Sequence, residues 1–328
     1  MPVLCIMASV LLQSGVYGFV SGRLGSTDSL ALSCAGFGAA AVVFNAVLLV
    51  RRLRAGRGSA PVAAPPGAGR LLLAMNVVTA VTFLSFYAAL SWIPSALATG
   101  IETAIGPAVL ALLGLAGIGR RATAPGWAAA GLLVLLGGAI AWSFTGDGGL
   151  RSAGSAAGIG LVLVAGIGAS VLALVSAELG RRGIDPVHAT AHRFHLTFLC
   201  GGALLLVVGG TGAVRSADWP ALLVTGVLAV TVPLFLLQRG LQGADPMVAM
   251  VLLTTLPGVT YLAETAFHGG FDGLSFALIC ALMAVALWYA RLSREEPSKG
   301  EGDGDGTETR SRAESGRKSG QESARVPG

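Results

Sequence analysis

Ten apolar runs, separated by short polar segments, dominate this sequence. A helix needs about 20 mostly apolar residues to cross the hydrocarbon core of a bilayer, and each run approaches that length. Only 12% of the residues are charged, about half the share of an average soluble domain, and they collect between the runs and at the C-terminal end. The pattern predicts an all-α polytopic membrane protein with ten transmembrane helices at 3–21, 29–50, 71–90, 95–117, 124–143, 157–178, 187–209, 219–238, 246–267 and 273–291.

The distribution of arginine predicts how these spans are oriented. One set of connections carries ten arginines, namely Arg51, Arg52, Arg54, Arg57, Arg70, Arg120, Arg121, Arg181, Arg182 and Arg239. The opposite set carries three, namely Arg23, Arg151 and Arg215. Because short basic loops stay in the cytoplasm, we expect a multi-pass protein of the cell membrane with both termini cytoplasmic.

Two similar segments indicate an internal repeat. One begins at Tyr87 and reads YAALSWIPSALATGIETAIGPAVLALLG, the other begins at Leu237 and reads LQRGLQGADPMVAMVLLTTLPGVTYLAE. Each reads as a helix end, a tight turn and a helix broken by a proline, Pro107 or Pro257, and these prolines are 150 residues apart. Because five spans per half is an odd number, the second half must enter the membrane upside down, as in many secondary transporters.

The chain is therefore predicted to consist of two inverted five-helix repeats and a tail. The repeats occupy 1–143 and 157–291. Residues 293–328 are rich in Gly, Ser, Glu, Arg and Asp and have no apolar period. Such a segment cannot bury enough apolar surface to offset its ordering entropy, so we expect a disordered cytoplasmic tail.

Several functional classes lack their sequence signatures here. The basic residues stand between spans rather than on a stripe with aromatic residues, which argues against nucleic-acid binding. Cys5, Cys34, Cys200 and Cys280 have neither disulfide nor zinc-site spacing. The chain contains no P-loop, HExxH or Gly-x-Ser-x-Gly motif. We therefore expect neither an enzyme nor a cofactor or metal site.

In these segments the chain resembles the EamA-type transporters of the drug/metabolite transporter superfamily. The two proline-bearing stretches are similar to the family's fourth and ninth helices. Arg193 and Phe194, in HATAHRFHLTFL, resemble an Arg-Phe pair at the head of a repeat's second helix, whereas Gly36 stands at the corresponding position of the first half. Glu264 lacks the glycine that precedes a glutamate in many members. The resemblance covers all ten spans.

Three shorter matches are similar to the threonine and homoserine exporter branch of that superfamily. FYAALSWIPSALATGIETAIGP contains Glu102 and Pro107, VPLFLLQRGLQGADP joins the eighth and ninth spans, and Gln13 is a polar residue in the first span. This resemblance implies an exporter of an amino acid or related small metabolite, driven by a proton gradient through alternating access. The alternatives are a transporter of drug-like or nucleotide-sugar substrates and, in a different class, a membrane-embedded enzyme. The expected partners are a small-molecule substrate and the lipid bilayer, and assembly as a homodimer stays open.

Glu102 and Arg193 are the sharpest candidates for a transport site. Each is an ionisable residue inside a predicted span, where a charge costs about 2.5–3.5 kcal/mol on insertion scales. Glu102 could contact an amino group, relay protons or serve as a structural partner of Arg193. Arg193 could bind an anionic group or extend its side chain to the interface. We expect both on the wall of one central cavity between the halves.

Histidines and neutral polar residues provide further candidates. His188, His192 and His195 have helical spacing and are expected on one face of a seventh helix that starts near 186, with Asp185 as its N-cap. They are either an interfacial row or, through His192 and His195, contacts for protons or substrate. Neutral polar side chains in spans one, three and nine could line the cavity or join helices, and these are Gln13, Tyr17, Asn76, Tyr87, Thr254, Thr255 and Tyr261.

Overall fold

Thirteen α-helices and one π-helical turn make up the part of the chain that the structure describes. This computed structural model describes residues 1–54, 66–119, 121–143 and 153–295, and for Met247 and residues 289–295 the backbone alone. The helices are α1 (Pro2–Val20), α2 (Ser26–Arg54), α3 (Ala68–Ala89), α4 (Ser95–Leu115), α5 (Ala124–Ser143), α6 (Ala153–Arg181), α7 (Pro186–Ala191), α8 (His195–Ser216), α9 (Trp219–Gly226), α10 (Val232–Gly243), α11 (Pro246–Leu253), α12 (Leu256–His268) and α13 (Gly273–Glu295), with the π-helical turn at Val227–Thr231.

Nine segments of the described chain are long and apolar enough to cross a membrane. Six are the single helices α1 to α6, and three combine α7 with α8, α9 with α10, and α11 with α12. The last helix contributes a shorter apolar stretch, Gly273–Trp288. The described residues contain no strand, so the predicted all-α polytopic class is confirmed. Most of the predicted disordered tail lies outside the described residues.

Helix starts follow local sequence rules. Asp185 precedes Pro186, and its carboxylate accepts a hydrogen bond from the Val187 N–H at 3.0 Å, which is the predicted N-cap with proline at the first helical position. Asp218 caps α9 in the same way through the Ala221 N–H at 3.2 Å. The turn between α6 and α7 needs a left-handed residue, and Gly183 supplies it with φ 71°.

The seventh span is not the single helix that the sequence predicts, because it is divided into α7 and α8. Helix α7 ends at Ala191 and α8 begins at His195. His192 and Phe194, between them, have ψ angles of 1° and −2°, outside the usual α-helical range. The Leu196 N–H at the start of α8 donates to the Asn76 side chain of α3 at 3.0 Å. Phe194, the N-cap residue of α8, makes no side-chain cap hydrogen bond. Asn76, from another span, therefore satisfies this N–H group at the start of α8.

The two proline-bearing spans also differ from their prediction. Helix α4 continues through Pro107 without a break. The ninth span does break, at Thr254 and Thr255, and Pro257 lies in the first turn of α12. The prediction that both helices are broken is therefore wrong for the first half. Thr103 precedes Pro107 by four residues, so its carbonyl loses its usual helical donor, and that loss alone does not interrupt α4.

The helix contacts of the first and sixth spans follow the same pattern at an offset of five spans. Helix α1 packs against α10 and α12, whereas α6, five spans later, packs against α3 and α4. The second and seventh spans pack against each other. This exchange of neighbours is what two similar five-span halves would produce, and the repeat limits 1–143 and 157–291 remain a prediction.

Burial separates central spans from peripheral ones. In the apolar 18-residue stretch of α4, 67% of the residues are buried, whereas in that of the seventh span only 17% are buried. Large apolar side chains point away from the helices on the outside of the bundle, for example Trp142, Leu135 and Val207. A surface of this kind suits lipid rather than water.

Candidate translocation cavity

A cavity lies between the helices of the two halves. Its wall consists of Gln13 and Tyr17 from α1, Thr82, Phe83 and Phe86 from α3, Glu102 and Thr103 from α4, Ala169 and Leu172 from α6, Arg193 from the break between α7 and α8, Leu237 and Leu241 from α10, Met250 and Leu253 from α11, and Leu256 from α12. Apart from Glu102 and Arg193, this wall is mostly apolar and aromatic, which is typical of sites that enclose a small ligand.

Glu102 brings a carboxylate to this wall. It lies near the middle of α4, and α6 crosses α4 next to it at Gly166, where an added methyl group would come within 2.8 Å of the Glu102 carbonyl oxygen. The close crossing fixes the backbone that carries the carboxylate. Among the described residues, no hydrogen-bond donor or cation partners this carboxylate.

Arg193 brings a guanidinium to the same cavity from the break between α7 and α8. Its side chain is almost completely buried, with 1% exposed, so it does not extend to the membrane interface. The Nε atom donates to Thr79 Oγ1 and one terminal nitrogen to Gln238 Oε1, each at 3.0 Å. The guanidinium carbon lies 5.8 Å from the Phe83 ring centre and 5.5 Å from that of Phe194.

These partners leave the charge of Arg193 uncompensated. Both hydrogen-bond acceptors are neutral, and within the described chain no carboxylate lies within ion-pair distance of the guanidinium. Arg193 and Glu102 therefore share a cavity without forming an ion pair with each other. A buried charge is normally paired, so each is available to an oppositely charged group that enters the cavity.

Gln238 adds a further donor beside Arg193. Its side-chain oxygen accepts from both Arg193 and Ser176 Oγ, the latter at 3.2 Å. Its Nε2 atom is buried, and no acceptor lies within hydrogen-bond distance among the residues that the structure describes. This cluster has more donors than acceptors, which is the composition of a site for an anion. Sequence reasoning missed Gln238, although an amide within a predicted apolar span was visible.

Gln13 and Tyr17 line the cavity and are held on α1 by a chain of hydrogen bonds. The Tyr17 hydroxyl donates to Gln13 Oε1 at 3.3 Å, and Gln13 Nε2 donates to Ser9 Oγ at 2.7 Å. Ser9 Oγ in turn donates to the Pro233 carbonyl at 2.7 Å. This row of polar side chains runs from the cavity toward α10.

The remaining neutral candidates lie away from the cavity wall. Asn76 bonds to the start of α8. The Tyr87 ring is fully buried, and its centre lies 6.3 Å from that of the Tyr17 ring. The hydroxyls of Thr254 and Thr255 donate to the carbonyls three residues earlier, at 2.6 and 2.7 Å, and so satisfy backbone groups where the ninth span breaks.

The three histidines remain neighbours although the helix beneath them is broken. The ring centres of His188 and His192 are 4.6 Å apart, and those of His192 and His195 are 6.3 Å apart. His195 Nε2 lies 3.4 Å from the Asn45 amide nitrogen. None of them lines the cavity. No group of three or more His, Cys, Asp and Glu side chains in the described chain is arranged to hold a metal ion.

Gly36 stands at the position of the first half that the sequence analysis relates to Arg193. It lies where α2 meets α9, and a methyl group added at Gly226 would come within 2.6 Å of the Gly36 Cα. A side chain at Gly36 would itself meet Val230 at 2.9 Å. The position that corresponds to Arg193 therefore has no room for an arginine.

Comparison with known proteins identifies a transporter domain in the second half. Residues 156–292 match the EamA-like transporter family, so this segment contains an EamA-like domain. No curated protein matches the chain. A solved crystal structure with 16% sequence identity matches with a TM-score of 0.63 and covers 90% of this chain and 98% of its own. At that identity the match shows a shared fold alone, and it extends over both halves.

Proposed function

We propose that this protein is a secondary active transporter that exports an amino acid or a related small metabolite, driven by a proton gradient through alternating access. One observation carries the proposal. A cavity between the two halves of a polytopic helical protein is lined by a carboxylate, Glu102, and a guanidinium, Arg193, that do not pair with each other. The EamA-like domain at 156–292 supports transport as the activity.

The charges of the cavity suggest what it receives. The donor-rich group around Arg193 and the free Gln238 nitrogen suits a carboxylate or a similar anion. Glu102, which no cation of the described chain partners, suits an ammonium group or a proton. A solute with both groups would satisfy both ends of the cavity, and protons would compete with it for Glu102.

The competing functions have less support. The enzyme alternative would rest on His188, His192 and Asp185. Asp185, however, caps α7 and forms an exposed ion pair with Arg51 at 2.7 Å, and a transporter domain argues against catalysis. Drug-like or nucleotide-sugar substrates remain the alternative within transport. A homodimer is compatible with either reading.

An efflux experiment tests the proposal. Cells with and without the protein are loaded with an isotopically labelled amino-acid mixture, and the loss of each component is followed at several external pH values. We expect the protein to accelerate the loss of at least one component. Glu102→Gln should reduce that efflux by about tenfold, as expected when one charged contact of about 1.4 kcal/mol is removed, and should flatten its pH dependence.

The matched control is Glu178→Gln. Glu178 is also a helical glutamate, but it lies at the end of α6 beside Arg181 and Arg182, outside the cavity. Its substitution should leave efflux unchanged at equal membrane abundance. Normal efflux and pH dependence in Glu102→Gln would remove this carboxylate from the mechanism, and no accelerated efflux of any component would contradict amino-acid export.

A further inference from the structure

The seam between α6 and α10 carries polar side chains that are not part of the cavity wall. Ser176 and Gly180 stand one turn apart near the end of α6, and Gln238 and Gln242 stand one turn apart on α10. Ser176 Oγ donates to Gln238 Oε1 at 3.2 Å. A methyl group added at Gly180 would lie 2.9 Å from the Gln242 Cα. The two helices therefore meet at both levels of this seam.

Each glutamine of the seam has a side-chain nitrogen that meets no acceptor in the part of the chain that the structure describes. The Gln238 side chain is fully buried, and Gln242 is half-buried with its Nε2 atom shielded from solvent. Residues four apart share one face of a helix. Buried amide donors are normally hydrogen-bonded, so two such nitrogens on one face indicate an acceptor that comes from outside the described chain.

The orientation of the Gln238 amide follows from its neighbours. A guanidinium group only donates hydrogen bonds, so Arg193 requires the amide oxygen and binds it at 3.0 Å. The Ser176 hydroxyl donates to the same oxygen. The amide nitrogen consequently cannot turn toward Arg193, and it remains a free donor beside the cation.

The seam leads from the basic end of the bundle to Arg193. Gln242 lies in the last turn of α10, next to the end of α6, where two arginines follow Gly180. Gln238 lies one turn, about 6 Å, further into the bundle. It binds Arg193, which lines the cavity. Hydrogen-bond donors therefore continue from the arginine-rich surface to the cavity wall.

Acceptors near the seam are already engaged. The Gln238 oxygen is shared by two donors. Glu178 binds the two arginines at the end of α6. Asp245, three residues after Gln242, caps α11 by accepting from the Val248 N–H at 3.4 Å. A row of free donors without free acceptors attracts an anion and offers little to a cation.

We propose that Gln242 and Gln238 form an entry track for a carboxylate or similar anionic group of the solute, which binds at Gln242, then at Gln238 and finally at Arg193. The proposal rests on the proposed transport function, since the track serves the cavity of a transporter. A carboxylate has two oxygens, so it can accept from the Gln238 nitrogen and from Arg193 at the same time. Gln238 is also a specificity-determining residue, because a carboxylate in its place would pair with Arg193 and exclude the anion.

Entry along the track requires α6 and α10 to separate at their ends. Their backbones approach closely at Gly180 and Gln242, so no solute passes between them while they are packed. The orientation predicted from the arginines places this end in the cytoplasm, which is the side from which an exporter takes its solute. Separation would expose Gln242 first and Gln238 one turn later.

Charged thiol reagents test the track without any assumption about the transported solute. In the full-length protein, Gln242→Cys supplies the single thiol after alanine has replaced Cys5, Cys34, Cys200 and Cys280. Inside-out membrane vesicles expose the predicted cytoplasmic end to a methanethiosulfonate reagent with a sulfonate group and to one with a trimethylammonium group. Each rate is divided by the rate of the same reagent with a free thiol. We expect the normalised rate of the anionic reagent to be about tenfold higher, the effect of one charge-assisted hydrogen bond.

Gln238→Glu in the same background is the decisive variant. The new carboxylate has the shape of the amide, pairs with Arg193 and repels anions, so it should remove the anion preference at position 242. Gln238→Met, which deletes the donor without adding a charge, should reduce the preference partly and is the second test if the first variant does not fold. The matched control is Leu53→Cys, which is exposed among the arginines at the end of α2. Its preference reports surface charge and should not respond to Gln238→Glu.

The outcomes separate the track from the transport function. An unreactive thiol at position 242, a preference for the cationic reagent, or an anion preference that both Gln238 variants leave unchanged would overturn the track, whatever the efflux assay shows. An anion preference that these variants reduce, in a protein that exports no labelled amino acid, would support the track and contradict only the proposed substrate class.

Discussion

At the scale of single residues, Arg193 is the most unusual feature of the molecule. Full burial of a guanidinium is costly unless hydrogen bonds and opposite charge offset it. Thr79 and Gln238 provide two hydrogen bonds but no charge. We interpret the space beside the Arg193 guanidinium, where the described chain provides no negative charge, as the place that an anionic group of the solute occupies.

Arg193→Lys tests that interpretation. Lysine keeps the charge but offers one compact ammonium group instead of a planar fork. It cannot bind Thr79, Gln238 and an anionic group in the same geometry. We expect efflux to fall by about tenfold or more, because a hydrogen bond to a charged group contributes about 1.5–3 kcal/mol. Efflux of labelled solute at matched membrane abundance measures the effect.

The control for this substitution is Arg215→Lys. Arg215 lies in the last turn of α8, away from the cavity wall, and its replacement should not alter efflux. A lysine variant at 193 that transports like the wild type would contradict a specific anion contact. It would leave a purely electrostatic role for this position.

Part of the cavity wall could be predicted from the sequence. The rest could not, because a sequence does not show which partner a polar side chain finds in the folded protein. Glu102, Arg193, Gln13 and Tyr17 were predicted to line a cavity, and they share one wall. A polar residue in an apolar span indicates that the side chain needs a partner, but not whether that partner is a solute or a helix. Asn76 and Thr254 met their requirement with backbone groups, and only the packed structure distinguishes the two cases.

At the scale of elements, the two proline helices differ in a way that the sequence did not reveal. Both segments have proline at matching positions, yet α4 is continuous and the ninth span is broken. In the ninth span, two threonines before Pro257 bond to the carbonyls of Val251 and Leu252. Ser14 of α1 donates to the Leu256 carbonyl at 3.1 Å. Side chains from the same and another helix thus satisfy the broken backbone.

Proline substitutions should therefore affect the two halves unequally. Pro257→Ala restores an N–H donor and removes a constraint of about 3 kcal/mol on helix continuity, so it should allow α11 and α12 to join. We expect efflux to fall by about tenfold, since even half of that energy would shift the balance to the continuous form. Pro107→Ala should change efflux much less, because α4 is already continuous.

The comparison is made on the same efflux assay, with thermal unfolding of each purified variant beside it. A larger loss of efflux in Pro107→Ala than in Pro257→Ala would contradict the functional asymmetry. Equal losses with equal destabilisation would assign both prolines to packing alone.

At the scale of the whole molecule, the C-terminal tail is predicted to be dispensable. Residues from 298 onward are polar and lack the apolar period of the spans, and such segments do not contribute to a packed core. Deletion of 298–328 should leave efflux and membrane abundance unchanged. Lost efflux at normal abundance would show that the tail takes part in transport.

The fold shows which loops share one face of the molecule and therefore must have the same orientation in the membrane. At one end of the bundle, Arg51 pairs with Asp185 and Arg182 donates to the Pro66 carbonyl at 2.7 Å. The ends of the second and sixth spans and the starts of the third and seventh therefore share one face, as the arginine distribution requires.

This basic face should be cytoplasmic, because short loops rich in arginine resist translocation. Green fluorescent protein fused after Arg54 or Arg291 should fluoresce, since it does not mature when exported unfolded. Alkaline phosphatase fused after Gly269 should be active, because it folds only outside the cytoplasm. Active phosphatase after Arg291 together with inactive phosphatase after Gly269 would show that the protein has the opposite orientation in the membrane.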